Sequence, residues 1–302
     1  MRKMKIGILT SGGDAPGMNS ALFGVFSACQ KHNLDLVGFV GGYDGLIDDD
    51  FVELTFPLLD GKINAGGSLL KSGRCPRFLE QKFIKKAILT LKKHRINNLI
   101  VLGGDGSTRG AIELRNLGIN VIVLPCTIDN DMNISHTIGF NTAVNNIVNA
   151  VDNISDSLSA FNYGGVVKLM GRDCSDLINE SAQALHTDLV VDSSDVNIDA
   201  LVERIKATHT PNHLPTIVLV RENCVDCEEL TSTLQEKCGF QFRLHILGYI
   251  QRGGKPTAFD RSYAYSVGLM AVESIIISAA NFALGLNNGK VVQMELEDII
   301  KK

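Results

Sequence analysis

A chain of 302 residues is long enough to bury a substantial core, as one large domain or as two packed ones. A formal net charge of −4, with 45% apolar and 21% charged residues, offers no electrostatic case for nucleic acid or for an anionic membrane surface. Seven cysteines, odd in number and unevenly spaced, argue against a disulfide framework and for a reducing, cytoplasmic setting.

The opening MRKMKIGILTSGG runs straight into a strand pattern, with no signal-peptide hydrophobic region before it. Lys5–Thr10 reads as a buried strand, Gly17–Lys31 as a helix with Ala21, Val25 and Ala28 on one face, and Leu34–Val40 as a second strand. A helix is expected over Phe78–His94, where Ile84, Ile88 and Leu91 recur at helical spacing and Lys92, Lys93 and His94 complement the C-terminal dipole. Asn98–Leu102 and Asn120–Leu124 read as strands flanking a helix at Thr108–Asn116.

The second half continues the alternation. Helices are expected over Asn141–Leu158, Ser175–His186, Asn197–Ala207, Glu228–Cys238 and Asp260–Ala280, and strands over Val166–Met170, Leu189–Val191, Thr216–Arg221 and Lys290–Met294. The apolar stretch Ile275–Leu286 is broken by Ser278 and Asn281 and is too short to span a bilayer. Alternation of this kind predicts an α/β fold with a largely parallel sheet covered on both faces, and functional loops at the carboxyl ends of strands.

Two minor signals carry little. Cys224-Val-Asp-Cys227 is a lone CxxC without a second pair or a histidine at zinc-site spacing. His209 and His213 are four apart, but Pro211 between them points to a surface loop.

Three constellations carry chemistry, each directly after a strand. Ser11-Gly-Gly-Asp-Ala-Pro-Gly-Met-Asn19 lets backbone N–H groups approach a phosphate, with a helix N-terminus to follow. It lacks the GK[ST] ending of a P-loop and the GxGxxG of a dinucleotide fingerprint, and alone it fits a tight strand–helix connection equally well. In Leu102-Gly-Gly-Asp-Gly-Ser-Thr108, Asp105 suits Mg²⁺ or its water, and Ser107 with the glycine amides suits phosphate oxygens. The plainer alternative is a capped turn. In Pro125-Cys-Thr-Ile-Asp-Asn-Asp131, Asp129 and Asp131 would share one side of an extended backbone, with Ile128 opposite. Two carboxylates and the Thr127 hydroxyl offer a general base beside a metal-assisting acid, or else a solvated turn.

Taken in order, GGDAPGMN, GGDGS, TIDND, the Met170-Gly171-Arg172 segment and GYIQRGG (Gly248–Gly254) resemble the motif series of the ATP-dependent 6-phosphofructokinases. The match is almost collinear from about residue 4 to the end. The resemblance implies two Rossmann-like three-layer αβα domains with an active-site cleft between them. It assigns 1–139 plus 252–302 to ATP and Mg²⁺, and 140–251 to the sugar phosphate. It places Gly12, Tyr43, Arg74, Cys75, Gly104, Asp105, Gly106 and Ser107 around the nucleotide, with Asp105 as the metal ligand. Asp129 matches the general base toward the sugar 1-hydroxyl, with Thr127 and Asp131 beside it. Arg74 and Arg172 match arginines on the transferring phosphoryl group. Thr127, Ile128, Asp129, Met170, Gly171, Arg172, Glu222, Arg243, Tyr249 and Arg252 match the sugar-phosphate site. A cytoplasmic glycolytic enzyme is implied, a homotetramer with active sites shared across subunits, with neither nucleic acid nor membrane as partner.

The chain departs from the pattern in places. Gly106 stands where pyrophosphate-dependent relatives carry a bulkier Asp, and so favours ATP, while Cys126 stands where relatives carry Gly or Lys. Tyr163 replaces an arginine that reaches the neighbouring subunit's site, and Tyr249 replaces the histidine of GHIQRGG. Loss of one full positive charge, and of a second when the histidine is protonated, predicts weak fructose 6-phosphate binding or another sugar acceptor. The family's effector arginines are matched by Phe23, Ser27, Ser155 and the Pro211–His213 neighbourhood, which predicts little allosteric control. A catalytically weak regulatory paralogue is the third reading, opposed by the presence of Asp105, Asp129, Arg74 and Arg172.

Overall fold

The computed structural model describes residues 3–208 and 215–301, so the loop expected around His209, Pro211 and His213 lies outside the described residues. In chain order the elements are β1 (Lys5–Thr10), α1 (Met18–Lys31), β2 (Asp35–Phe39), α2 (Tyr43–Asp48), β3 (Phe51–Glu53), α3 (Phe56–Leu59), α4 (Gln81–His94), β4 (Asn98–Gly103), α5 (Asp105–Asn116), β5 (Asn120–Thr127) and β6 (Ile138–Gly139). There follow α6 (Phe140–Ser159), β7 (Gly164–Leu169), α7 (Asp176–Ala184), β8 (Val190–Val191), α8 (Ile198–Thr208), β9 (Ile217–Arg221), α9 (Cys227–Cys238), β10 (Phe242–Ile246), α10 (Ala258–Ile276), β11 (Phe282–Asn287) and β12 (Lys290–Glu295).

The chain divides into two compact units, one of Met1–Asn141 with Arg252–Lys302 and one of Thr142–Gln251. The first unit is built on a sheet ordered β12-β11-β5-β4-β1-β2-β3, with the short β6 paired to β5. β11, β5, β4, β1 and β2 run parallel, and β12 and β3 close the edges antiparallel. The strands are short runs of Ile, Leu and Val with both faces covered, as a parallel sheet requires. Leu9, Val101 and Val123 turn to one face and pack with Ile84 and Leu91 of α4 and Ala111 and Leu114 of α5. On α1 and α10 the backbones come unusually close. A β-carbon at Gly24 would lie 2.2 Å from the Tyr265 carbonyl oxygen, and one at Gly268 would lie 2.4 Å from that of Ala21.

The second unit carries a four-stranded sheet ordered β10-β7-β9-β8, parallel throughout. Its core joins Val166, Val218 and Val220 of the sheet to Leu201 and Ile205 of α8, Leu230 and Leu234 of α9, and Phe242. Asp226, between Cys224 and Cys227, caps α9 by accepting from the Glu228 and Glu229 amides. No helix among the described residues is long and apolar enough to cross a membrane.

Several expected boundaries move, for physical reasons. The helix expected at Phe78–His94 begins at Gln81, because Pro76–Leu79 forms a separate 3₁₀ turn. The helix expected to reach Ala280 ends at Ile276, where Ser278 and Asn281 adopt φ of 61° and 73°. The apolar residues beyond it form β11 instead. The helix expected from Thr108 starts at Asp105, so the GGDGS segment is a helix N-terminus and not a free loop. The strand expected to stop at Leu124 continues to Thr127.

Candidate functional site

Three neighbouring parallel strands, β1, β4 and β5, deliver their carboxyl ends side by side in the first unit. After β1, the Ser11 amide donates to the Leu102 carbonyl of β4 at 2.9 Å, and the Gly12 amide donates to the Gly73 carbonyl at 3.0 Å. Ser72 Oγ returns a 3.0 Å bond to the Gly12 carbonyl, and Thr10 Oγ1 donates to the Lys71 carbonyl at 2.7 Å. The segment carrying Arg74 is thereby laced to the end of β1. Arg74 itself is exposed.

After β4, Gly103 and Gly104 make room for the turn into α5. A β-carbon at Gly103 would meet Ser107 Oγ at 2.4 Å and the Ser11 carbonyl oxygen at 2.6 Å. One at Gly104 would sit 3.7 Å from Thr127 Cβ, which puts the start of α5 against the end of β5. Asp105, Gly106 and Ser107 occupy the first turn of the 12-residue helix α5, where unpaired amides and the helix dipole favour an anion. Gly106 has nothing within 4 Å of where its β-carbon would be.

Tyr43 does not line this surface. Its ring is 3% exposed, stacks on Phe78 with centroids 4.1 Å apart, and donates its hydroxyl to the Ser107 carbonyl at 2.7 Å. It supports the first turn of α5 from behind, and its hydroxyl is pushed upward in pKa by burial. Cys75 is half-buried and donates its thiol to Asp44 Oδ1 at 3.0 Å. Burial, reinforced by that hydrogen bond, pushes the thiol up to about 11.

After β5, Ile128 and Asp129 are 5% and 7% exposed. The expectation that Asp129 and Asp131 alternate along an extended backbone does not hold. The chain bends at Ile128–Asp129, and Asn130 enters the left-handed region at φ 53°. The bend is held by side chains: the Asp129 amide donates to Thr127 Oγ1 at 3.2 Å, and the Thr137 amide donates to Asn130 Oδ1 at 2.9 Å. Thr137 Oγ1 closes the loop on the Thr127 carbonyl at 2.6 Å, and Lys301 Nζ donates to the Asn130 carbonyl at 3.2 Å.

Arg252 belongs to the same unit. Its guanidinium pairs with Asp14 through the carboxylate at 2.8 Å and the backbone carbonyl at 3.0 Å. A β-carbon at Gly13 would strike that guanidinium at 2.4 Å, so the glycine leaves it room. Asp14 is a partner that the sequence reading did not single out, although it lies inside GGDAPGMN.

In the second unit, Met170, Gly171 and Arg172 form the turn after β7. Gly171 takes φ of 129°, which glycine alone adopts freely, and Arg172 enters the left-handed region at 50°. The Met170 amide donates to Gln251 Oε1 at 2.9 Å, and the Arg172 amide donates to Glu222 Oε1 at 3.0 Å. Gln251 is fully buried. Arg221, another residue missed from sequence, donates to the Arg172 and Asp192 carbonyls. Arg243 is exposed on β10, and Tyr249 is 78% exposed.

Among the described residues no three His, Cys, Asp or Glu side chains gather as a metal cage. That donor set still suits Mg²⁺, which is commonly held by one or two carboxylates with phosphate oxygens and water completing the shell. Asp105, in the first turn of α5, is a carboxylate that could serve in this way.

Known proteins share this arrangement. The phosphofructokinase family model matches residues 5–275. An ATP-dependent 6-phosphofructokinase of Photobacterium profundum is 38% identical over 299 residues, covering 98% of this chain and 93% of that one. One of Finegoldia magna is 35% identical over 297 residues, with the same coverage. The crystal structure of Pichia pastoris phosphofructokinase in the T-state superposes with a TM-score of 0.92 at 29% identity, over 99% of this chain and 36% of the longer yeast chain. A family match over most of the length, together with curated relatives above a third identical, shows that this chain belongs to the phosphofructokinase family.

Proposed function

We propose that this protein is an ATP-dependent 6-phosphofructokinase of glycolysis, transferring the γ-phosphoryl group of ATP to the 1-hydroxyl of fructose 6-phosphate. The observation that carries the reading is the near full-length identity to relatives bearing that name, 35–38% over 98% of the chain. The juxtaposed ends of β1, β4 and β5 supply the chemistry it needs. We assign nucleotide and Mg²⁺ binding to 1–139 with 252–302 and sugar-phosphate binding to 140–251.

The roles follow from charge and position. Amides of Gly104, Gly106 and Ser107, with the Ser107 hydroxyl, take phosphate oxygens at the start of α5, and Gly12 lies beside them. Asp105 would hold Mg²⁺, directly or through water, and the bound ion offsets charge on the phosphates. Asp129 accepts the proton of the 1-hydroxyl as its oxygen bonds to the γ-phosphorus, while the bridging bond breaks and its electron pair leaves with ADP. Asp129 is a weak base, so most of the acceleration comes from positioning and charge. Thr127 fixes the bend that presents it, and Asp131 adds charge beside it. Arg74 and Arg172 stabilise negative charge on the transferring group. Glu222, Arg243, Arg252 and Tyr249 bind the sugar phosphate, with Arg252 leaving Asp14 or sharing it.

A second reading, the same chemistry on another sugar phosphate, is favoured by Tyr163 and Tyr249 standing where cations are expected. We further propose a cytoplasmic homotetramer, for which the exposed Phe161, Ile246, Tyr249 and Ile250 provide apolar contact surface. The test assays the purified protein with ATP or pyrophosphate against a panel of sugar phosphates. ATP with fructose 6-phosphate should give the highest kcat/KM. Preference for pyrophosphate refutes the donor, and preference for another sugar refutes the acceptor.

A further inference from the structure

The Arg243 guanidinium lies 5.1 Å from the centroid of the Tyr163 ring, and that ring stacks in turn on Phe161 at 5.6 Å. Arg243 is exposed, and among the described residues its guanidinium has neither a hydrogen bond nor an ion pair. Its five N–H donors are therefore open to an incoming ligand. The column is built by local backbone. Asn162, at φ 55°, turns the chain between α6 and β7 and sets Phe161 and Tyr163 side by side. On the sheet, Arg243 of β10 pairs in register with Gly165 of β7.

We propose that Tyr163 is a positioning residue for substrate. Its ring fixes the plane of the Arg243 guanidinium so that the open N–H edge meets the phosphate of the acceptor sugar. The inference rests on the reading of Arg243 as a sugar-phosphate ligand and adds how that ligand is held. A second arginine at 163 would repel Arg243, whereas an aromatic face attracts it through the ring quadrupole. The chain thus exchanges one cation for better orientation of the other. Holding a long side chain in its bound geometry lowers the ordering cost of binding.

The experiment measures KM for fructose 6-phosphate, KM for ATP, kcat and thermal stability in Tyr163→Leu, Tyr163→Phe, Arg243→Ala and the Tyr163→Leu/Arg243→Ala double variant. It also measures the rate at which phenylglyoxal modifies Arg243, read by mass spectrometry in the parent and in the two single Tyr163 variants. Loss of an exposed cation–π contact should raise KM for the sugar phosphate about two- to five-fold in Tyr163→Leu. Tyr163→Phe should stay at the parent value in every measurement, and Tyr163→Leu should keep the parent's KM for ATP and melting temperature. Tyr163→Leu should add nothing once Arg243 is alanine, and it should expose Arg243 to several-fold faster modification. Equal effects of Leu and Phe, an effect of Leu that persists without Arg243, or an unchanged modification rate would each overturn the inference. If Arg243→Ala itself leaves KM unchanged, the assignment of Arg243 to the sugar phosphate fails, and the modification rate still decides whether the ring holds the arginine.

Discussion

The hydroxyl of Tyr43 reaches through the core to the backbone carbonyl of Ser107, 2.7 Å away, at the first turn of α5. A buried phenol thus braces the turn expected to hold phosphate. Tyr43→Phe removes one buried hydrogen bond and should cost about 0.5–1.5 kcal/mol of stability, measured by urea denaturation. KM for ATP should rise by less than about ten-fold, because the helix start remains. An unchanged urea midpoint would mean that the bond does no net work.

The glycines of GGDGS separate into structural and chemical roles. Gly103→Ala forces a β-carbon onto the Ser11 carbonyl oxygen and Ser107, and should destabilise by about 1–3 kcal/mol. Gly106→Asp enters open space, so its melting temperature should match the parent while KM for ATP rises. The added carboxylate sits where a phosphate is expected and repels it. Equal melting temperatures for parent and Gly103→Ala would contradict the packing account.

His245 on β10 has its Nε2 buried, with no hydrogen-bond partner among the described residues. Burial lowers its pKa below 6.5. The unfolded chain therefore takes up this proton at a higher pH than the native one. The stabilisation is complete above about pH 6.5 and is lost as pH falls from there through the native value. Urea midpoints measured from pH 7.5 down to 5.5 should fall more steeply for the parent than for His245→Gln. Parallel curves would refute the assignment.

The Cys75 thiol, held up at about 11, should stay protonated and unreactive toward iodoacetamide at pH 8. Asp44→Asn keeps the burial and removes the neighbouring charge, so modification of Cys75 should quicken. Rapid alkylation of the parent would show that the Asp44 contact does not protect the thiol.

Much of this is legible in the sequence, and what is not has separate physical reasons. β1, β4, α6 and α9 could be read because each combines a short apolar run or a helical stripe with clear end signals. β3 and β10 were missed because edge strands carry mixed residues such as Arg243 and His245, which blur the alternation. The sequence pattern puts the start of α5 three residues late because glycines at 104 and 106 read as loop, whereas Gly104 packs near Thr127 at the helix start and Gly106 lies within the first turn. The bend at Asp129 needed Thr137, seven residues beyond Asn130, to be foreseen. Asp14 and Arg252 lie 238 positions apart, and only the fold joins them.

As general base, Asp129, at the bend after β5, should take the proton of the attacking hydroxyl. The direct measurement is kcat for Asp129→Ser with ATP and fructose 6-phosphate at saturation, alongside its KM for ATP and its melting temperature. Loss of the carboxylate should lower kcat by about 10²–10⁴-fold, with nucleotide affinity and fold retained. A serine protein that phosphorylates as fast as its parent would contradict it.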